Sequence, residues 1–286
     1  MRELYLMKKL LLILSIFMVL ASCKRETQEV NKKAAPVRQK PKTVAYQFAK
    51  TKTWLAATQD STQIRIALAL NRTDRTNIVT MDSIIVPTDL TGDLEFYMPF
   101  PLEVPYLNDV SKIIFFSYAT QIFAAYEYGE LIRTGPTNMG RKKDPTPTGL
   151  FFTNWKAEKT TSTFNDEWDL RWNFNIANKL GVGWHQYTLP GYPASHSCLR
   201  LQERDAKYLY DWADQWILKT DEVVSVKGTP VVVFGSYDFE APKPWYQLAT
   251  NPKALDITEA EIEKQTQSFL PNILKQQKNR EEYKAK

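Results

Sequence analysis

Both histidines of this 286-residue chain and one of its two cysteines lie in one short stretch, His185 to Leu201, which reads HQYTLPGYPASHSCLRL. A cysteine is a nucleophile to the extent that it is a thiolate, and a nearby imidazole or cation is the usual way to lower a thiol pKa from about 8.5. His196 and Cys198 are two residues apart, so in a strand both would project from one face. His185 would reach the thiol if the chain folds back through YTLPGYP, and Pro190, Gly191 and Pro193 are residues that make such a return. The cluster therefore suits nucleophilic catalysis by Cys198. Two other uses compete with it. Zinc held by His185, His196 and Cys198 with an open fourth position is a catalytic arrangement, but His-x10-His-x-Cys matches no familiar ligand spacing and no acid lies between the histidines. Plain burial of all three side chains is the other.

The motifs add a resemblance. SHSCLRL, from Ser195, resembles the SHGC(I/V)R signature of the L,D-transpeptidase catalytic domain, the YkuD family, with His185 in the place of that family's upstream histidine. YEYGELIRTGPTNMGRKKDPTPTGLF, from Tyr126 to Phe151, resembles the stretch that precedes the family's active site and ends in TPxGxF. The resemblance runs from about Lys112 to Gly235. It implies a mainly β (α+β) sandwich with one or two helices and a site at its rim. Position by position, it makes Cys198 the nucleophile, His185 the proton acceptor and donor, and His196 a supporting histidine. Arg200 would meet an anionic substrate group, Ser195 is the small hydroxyl residue that begins the signature, and N–H groups around Ser197 and Cys198 would hold an oxyanion. Ser197 stands where the family usually has Gly, so it would be strained if that position needs a positive φ. Gln186 likewise replaces a common Gly.

The implied partners are peptidoglycan stem peptides. Cys198 would attack the carbonyl of the L-centre in a tetrapeptide stem, expel D-alanine and hold a thioester, and a second stem's amine would take the acyl group in a 3-3 cross-link. With water as acceptor the same residues make an L,D-carboxypeptidase. A peptidoglycan-binding lipoprotein without catalysis is the alternative from another class. No motif calls for an organic cofactor, and nothing specifies an oligomeric state.

Several elements must position these residues. KIIFFSYATQIFAAYEYGELIRTGP predicts a β-meander, and Leu150–Phe152 a strand after a turn at Gly149. GTPVVVFG predicts a central strand because it is apolar throughout. ERDAKYLYDWADQWI predicts a helix with Ala206, Leu209, Tyr210, Ala213 and Ile217 on one face. Pro99, Pro101 and Pro105 exclude a regular helix between Thr88 and Val110 and predict an extended connector. The tail from Asp256 predicts a helix interrupted at Pro271 and fraying toward the end.

Lys8 and Lys9, the apolar run Leu10 to Leu20 and the small residues that follow form an export signal. The run is shorter than the roughly 20 apolar residues of a bilayer span. Leu-Ala-Ser-Cys resembles a lipobox, which implies acylation of Cys23 and attachment to a membrane, with an ordinary signal peptide as the alternative. Cys198 would then have no intrachain thiol partner in an exported compartment. The precursor's net charge is +5, and three cations and one anion leave with the signal, so +3 remains. Much of that lies in Lys24 to Lys42, whose composition predicts a flexible tether. A nucleic-acid partner has no support in this distribution. Ser61 to Leu90 resembles the second half of a LysM module: a helix ending in ALN, a short helix and the strand MDSIIVP, without a clear first strand. The expected organisation is a signal at 1–22, a tether at 23–45, the LysM-like segment at 46–90, a connector at 91–111, the catalytic domain at 112–238 and a partly helical extension at 239–286.

Overall fold

The structure, a computed structural model, describes residues 37–161 and 169–285. The expected export signal, Cys23 and most of the tether lie outside the described residues. Among the described residues no helix is long and apolar enough to cross a membrane.

The expected meander is present as β3 (Ile113–Ser117), β4 (Ile122–Glu127) and β5 (Glu130–Asn138), after two earlier strands β1 (Tyr46–Lys50) and β2 (Ser83–Pro87). Further along come β6 (Gly149–Phe152), β7 (Lys156–Thr161), β8 (Asp169–Ala177), β9 (Val182–Gln186), β10 (Leu199–Leu201), the hairpin β11 (Ile217–Thr220) and β12 (Val223–Val226), and β13 (Pro230–Phe234). Nine of these form one sheet in the order β6-β13-β3-β4-β5-β10-β9-β8-β7. The fold is thus mainly β, as expected.

The apolar strands are apolar at every position because both faces of the sheet are covered. Ile113 and Phe115 belong to one core and Ile114 and Phe116 to the other, which is the period-two alternation of a strand. The second core is closed by Phe174, Trp184, Leu199 and Leu201 from the other half of the sheet, and by Ala206 and Leu209 of the helix Glu203–Trp212. The strand GTPVVVFG is interior but lies next to an edge strand rather than at the centre, parallel to β3 and antiparallel to β6.

The first core is closed by the chain's two ends. The N-terminal segment is β1, α1 (Thr51–Ala57), α2 (Ser61–Leu70), α3 (Arg75–Ile78) and β2, with β1 antiparallel to β2. Asp60 caps α2 by accepting from the Thr62 and Gln63 N–H groups, and Asp74 caps α3 through Thr76 and Asn77. The strand β1, which the alternation of YQFAK does not announce, supplies the missing partner of β2. Tyr46, Ile66, Leu70 and Ile85 pack in the same cluster as Phe115, Tyr126 and Val232, so the core is continuous across positions 90 and 111.

Three expectations change. The connector at 91–111 is not extended: it forms 3-10 turns at Leu94–Tyr97 and Pro105–Leu107 and buries Leu94, Tyr97, Phe100, Val104 and Leu107 in the first core. The helix α4 (Glu203–Trp212) stops short of Ile217, because Asp214 N–H donates to Thr229 Oγ1 and Trp216 N–H to Asn154 O, pairings that need extended backbone. The tail does break before Pro271, between α5 (Glu259–Thr266) and α6 (Leu270–Lys284), with the proline in the first turn of α6 where its missing N–H costs nothing. It does not fray early; α6 runs to Lys284.

Arg72 ties these layers together. It is fully buried at a φ of +53°, and its Nε donates to Thr120 O at 2.8 Å and its Nη1 to Leu70 O at 2.6 Å. Its guanidinium lies 5.0 Å from the Trp245 ring centre, and burial pulls its pKa down to about 9.

Candidate active site

The strands β9 and β10 are parallel neighbours, although twelve residues of loop separate them in the chain, and their register sets His185 beside Arg200 and Trp184 beside Leu199. Paired positions of parallel strands share a face, so with Trp184 and Leu199 in the second core His185 and Arg200 turn the other way. Cys198 ends the loop, two residues before Arg200. The Arg200 charge acts on the His185 imidazole, the His196 imidazole and the Cys198 thiol.

His196 and Cys198 do not share a strand. The strand β10 starts at Leu199, and Ser197 just before it has a φ of +79°. This is the left-handed region that favours glycine, so the position does need the conformation for which serine is unsuited. The strain is held by neighbours on both sides. Ser195 Oγ donates to Cys198 O at 2.6 Å, and Thr146 Oγ1 donates to Ser197 O at 2.9 Å while accepting from Gly140 N–H at 2.9 Å. Ser197 Oγ donates to Asp144 O at 3.3 Å. Ser195 is buried and its hydroxyl is used inside the bend, so its place is behind the nucleophile's backbone rather than against a substrate. We expect Ser197→Gly to raise unfolding free energy by about 1 kcal/mol in a urea titration, since it removes the Cβ from a left-handed position. An unchanged or lower midpoint would mean that the Ser197 Oγ contact outweighs the strain.

The two central groups are uncharged in the resting site. Burial pulls the His185 pKa down to about 4 and pushes the Cys198 thiol up, against the smaller opposing effects of the Gly183 N–H and Arg200 on the sulfur. His185 Nδ1 lies 2.9 Å from Gln186 O. A carbonyl only accepts, so Nδ1 carries the proton and Nε2 is the basic nitrogen. His196 is more open, and its neighbours are the Arg141–Asp144 pair, Lys143 and Arg200; burial leads the causes that lower its pKa. Among the described residues no three His, Cys, Asp or Glu side chains converge as metal ligands.

A stability consequence follows for acid. An unfolded imidazole takes up a proton below about pH 6.5, whereas buried His185 does so only near pH 4. Protonation therefore favours the unfolded chain between those values, and the stability present above pH 6.5 is lost as pH falls, by about 3 kcal/mol at pH 4. Chemical unfolding at stepped pH should show this slope, and His185→Gln should flatten it.

Sequence reasoning missed several members. Tyr187 lies under Arg200, with the guanidinium 4.4 Å from its ring centre, and meets the His185 ring edge-on at 5.9 Å. Asn138 holds the far side of the loop by accepting from Ala194 N–H at 3.1 Å and donating to Tyr192 O. Gln121, at the meander's turn, accepts from Met139 N–H at 2.8 Å. None has a signal in local sequence except Thr146, whose TPTG setting marked the backbone but not the hydroxyl.

Residues 111–233, which contain every one of these groups, match the YkuD family, described as the L,D-transpeptidase catalytic domain. That match covers less than half of the chain and accords with its mainly β fold. Similar solved structures include an L,D-transpeptidase from Stackebrandtia nassauensis, 23% identical over 44% of this chain and 57% of that one, with a TM-score of 0.36. An L,D-transpeptidase from Mycobacterium smegmatis is 21% identical over 44% of this chain and 59% of its own, with a TM-score of 0.35. L,D-transpeptidase 3 from Mycobacterium tuberculosis is 19% identical over 44% and 62%, with a TM-score of 0.34. The chain thus spans less than two thirds of these relatives. No curated protein matches it.

Proposed function

We propose that the protein is a peptidoglycan L,D-transpeptidase that works through a thioester on Cys198. The observation that supports this is the β9–β10 register, which pairs His185 with Arg200, fifteen residues on, with Cys198 two residues before Arg200 in the chain. With both groups neutral at rest, the thiol proton passes to His185 Nε2 as sulfur attacks the stem carbonyl, and the tetrahedral oxyanion is met by N–H groups of the Ser197–Cys198 bend. The bond to the terminal D-alanine then breaks, and its nitrogen takes the proton from His185. Arg200, steadied on Tyr187, faces the carboxylate of the departing D-residue or of the incoming stem. An acceptor amine then takes the acyl group and frees the thiol.

Purified protein incubated with a disaccharide tetrapeptide should release D-alanine and gain the mass of the remaining acyl group. Release without any cross-linked dimer would move the assignment to an L,D-carboxypeptidase, for which the same residues serve. No adduct and no release would leave a wall-binding lipoprotein. The proposal includes acylation of Cys23 and a membrane-anchored, wall-facing location; fatty-acid labelling that persists in Cys23→Ala would overturn that part.

A further inference from the structure

The stretch Asn71–Asp74 does not serve only the N-terminal segment. It is a clamp on the loop that joins His185 to Cys198. Leu189 N–H donates to Asp74 Oδ2 at 2.6 Å, and Asp74 N–H donates back to Leu189 O at 3.2 Å. Thr73 Oγ1 donates to the same carbonyl at 3.0 Å, and Thr73 and Pro190 form an isolated antiparallel bridge. On the far side of the site, Gln202 Nε2 donates to Thr73 O at 3.0 Å, one residue beyond the end of β10. The turn at Gly191 is seated so closely that a Cβ there would stand 2.6 Å from Met81 Cε and 3.2 Å from Asn71 O. Asn71 and Thr73 are buried, and the backbone of the segment is locked in turn by Arg72.

We propose that Asp74 is a positioning residue for the reaction, acting through Leu189 on the loop between the two reacting groups; this rests on the transpeptidase reading above. Nearest-neighbour strand pairing fixes where β9 ends and β10 begins, but it does not hold the intervening loop. A displacement of about 1 Å at a reacting group can cost roughly a hundredfold in rate, so a loop anchored from outside the matched catalytic segment bears on turnover. The residues 46–90 are thereby part of the active-site framework.

Asp74→Asn separates this role from helix capping. Asparagine caps as well as aspartate, and its oxygen can still accept from Thr76 and Asn77. Its amide nitrogen would face the Leu189 N–H donor against donor, while the Asn77 side-chain amide can keep its bond to the remaining oxygen. Asp60→Asn, which alters the equivalent cap of α2 without touching the loop, is the control. Thr73→Val is the second variant and removes only the hydroxyl bond to Leu189 O. Three quantities are read on the full chain: the acylation rate with a disaccharide tetrapeptide, the thermal midpoint, and deuterium uptake across 187–193.

The expected result for Asp74→Asn is a fall in the acylation rate constant of roughly tenfold or more, higher uptake at 187–193 and a midpoint below that of Asp60→Asn, since the Leu189 N–H loses its acceptor. Thr73→Val should change the same quantities less. Acylation at the wild-type rate, a rate loss shared by Asp60→Asn, or unchanged loop uptake would each overturn the proposal. If Asp74→Asn fails to fold, the same criteria are applied to Thr73→Val. If the unsubstituted protein forms no adduct, the transpeptidase reading fails by itself; higher uptake in Asp74→Asn would then uphold the clamp, and unchanged uptake would overturn it.

Discussion

Cys198→Ala is expected to show no mass gain with a disaccharide tetrapeptide and no release of D-alanine, while the unsubstituted chain shows both. Removing a nucleophile from a covalent mechanism costs at least about ten-thousandfold in rate, so the signal should vanish rather than weaken. The same assay separates the histidines. His185 is buried, lies beside Arg200 in the β9–β10 register and presents Nε2 as its basic nitrogen, so His185→Gln should lower the rate by about a hundred- to ten-thousandfold, the range for a general acid–base. His196 is more open than His185 and lies in the field of Arg141, Asp144, Arg200 and Lys143, and His196→Gln should cost much less. Acylation that survives in Cys198→Ala would dismiss the thioester, and a larger loss in His196→Gln would exchange the two roles.

A chain lacking Ser61 to Leu90 is expected not to fold. Were these residues an appended wall-binding module, their removal would leave turnover intact. Instead Ile66, Leu70, Ile84 and Ile85 are fully buried and Ile78 nearly so. Burial of each such side chain contributes about 1.5–3 kcal/mol, and the five together are comparable to the 5–15 kcal/mol by which a domain is stable. The deletion also strips one face of Phe115 and Tyr126, leaves β1 without its partner and releases Leu189. The check is the soluble yield and the thermal transition by circular dichroism. A cooperative transition at the full-length midpoint would show that the segment is separable and that its packing on the sheet adds nothing.

The sequence by itself determined which residues could carry chemistry and much of the secondary structure. Both histidines and Cys198 gathered in one seventeen-residue stretch leave few reactions open, and IIFFS, IFAAYE and PVVVF form strands because their apolar period is local information. Pro271 likewise marks the start of a helix through its own geometry. The substitution at Ser197 was visible too, but only as a conditional, since whether a serine is strained depends on a φ that its neighbours impose.

Tertiary structure decided the rest, in each case because the deciding contact joins residues far apart in the chain. Strand register brings Arg200 alongside His185, a pairing that fifteen residues of sequence separation conceal. The connector at 91–111 reads as extended from its prolines but folds into turns because one face of the sheet must be covered. The helix after β10 ends early because Thr229 and Asn154 claim the backbone that follows it. Asp74 reads locally as a helix cap that also holds the Asn77 side chain; its bond to Leu189 arises only because the fold brings together residues 115 apart in sequence.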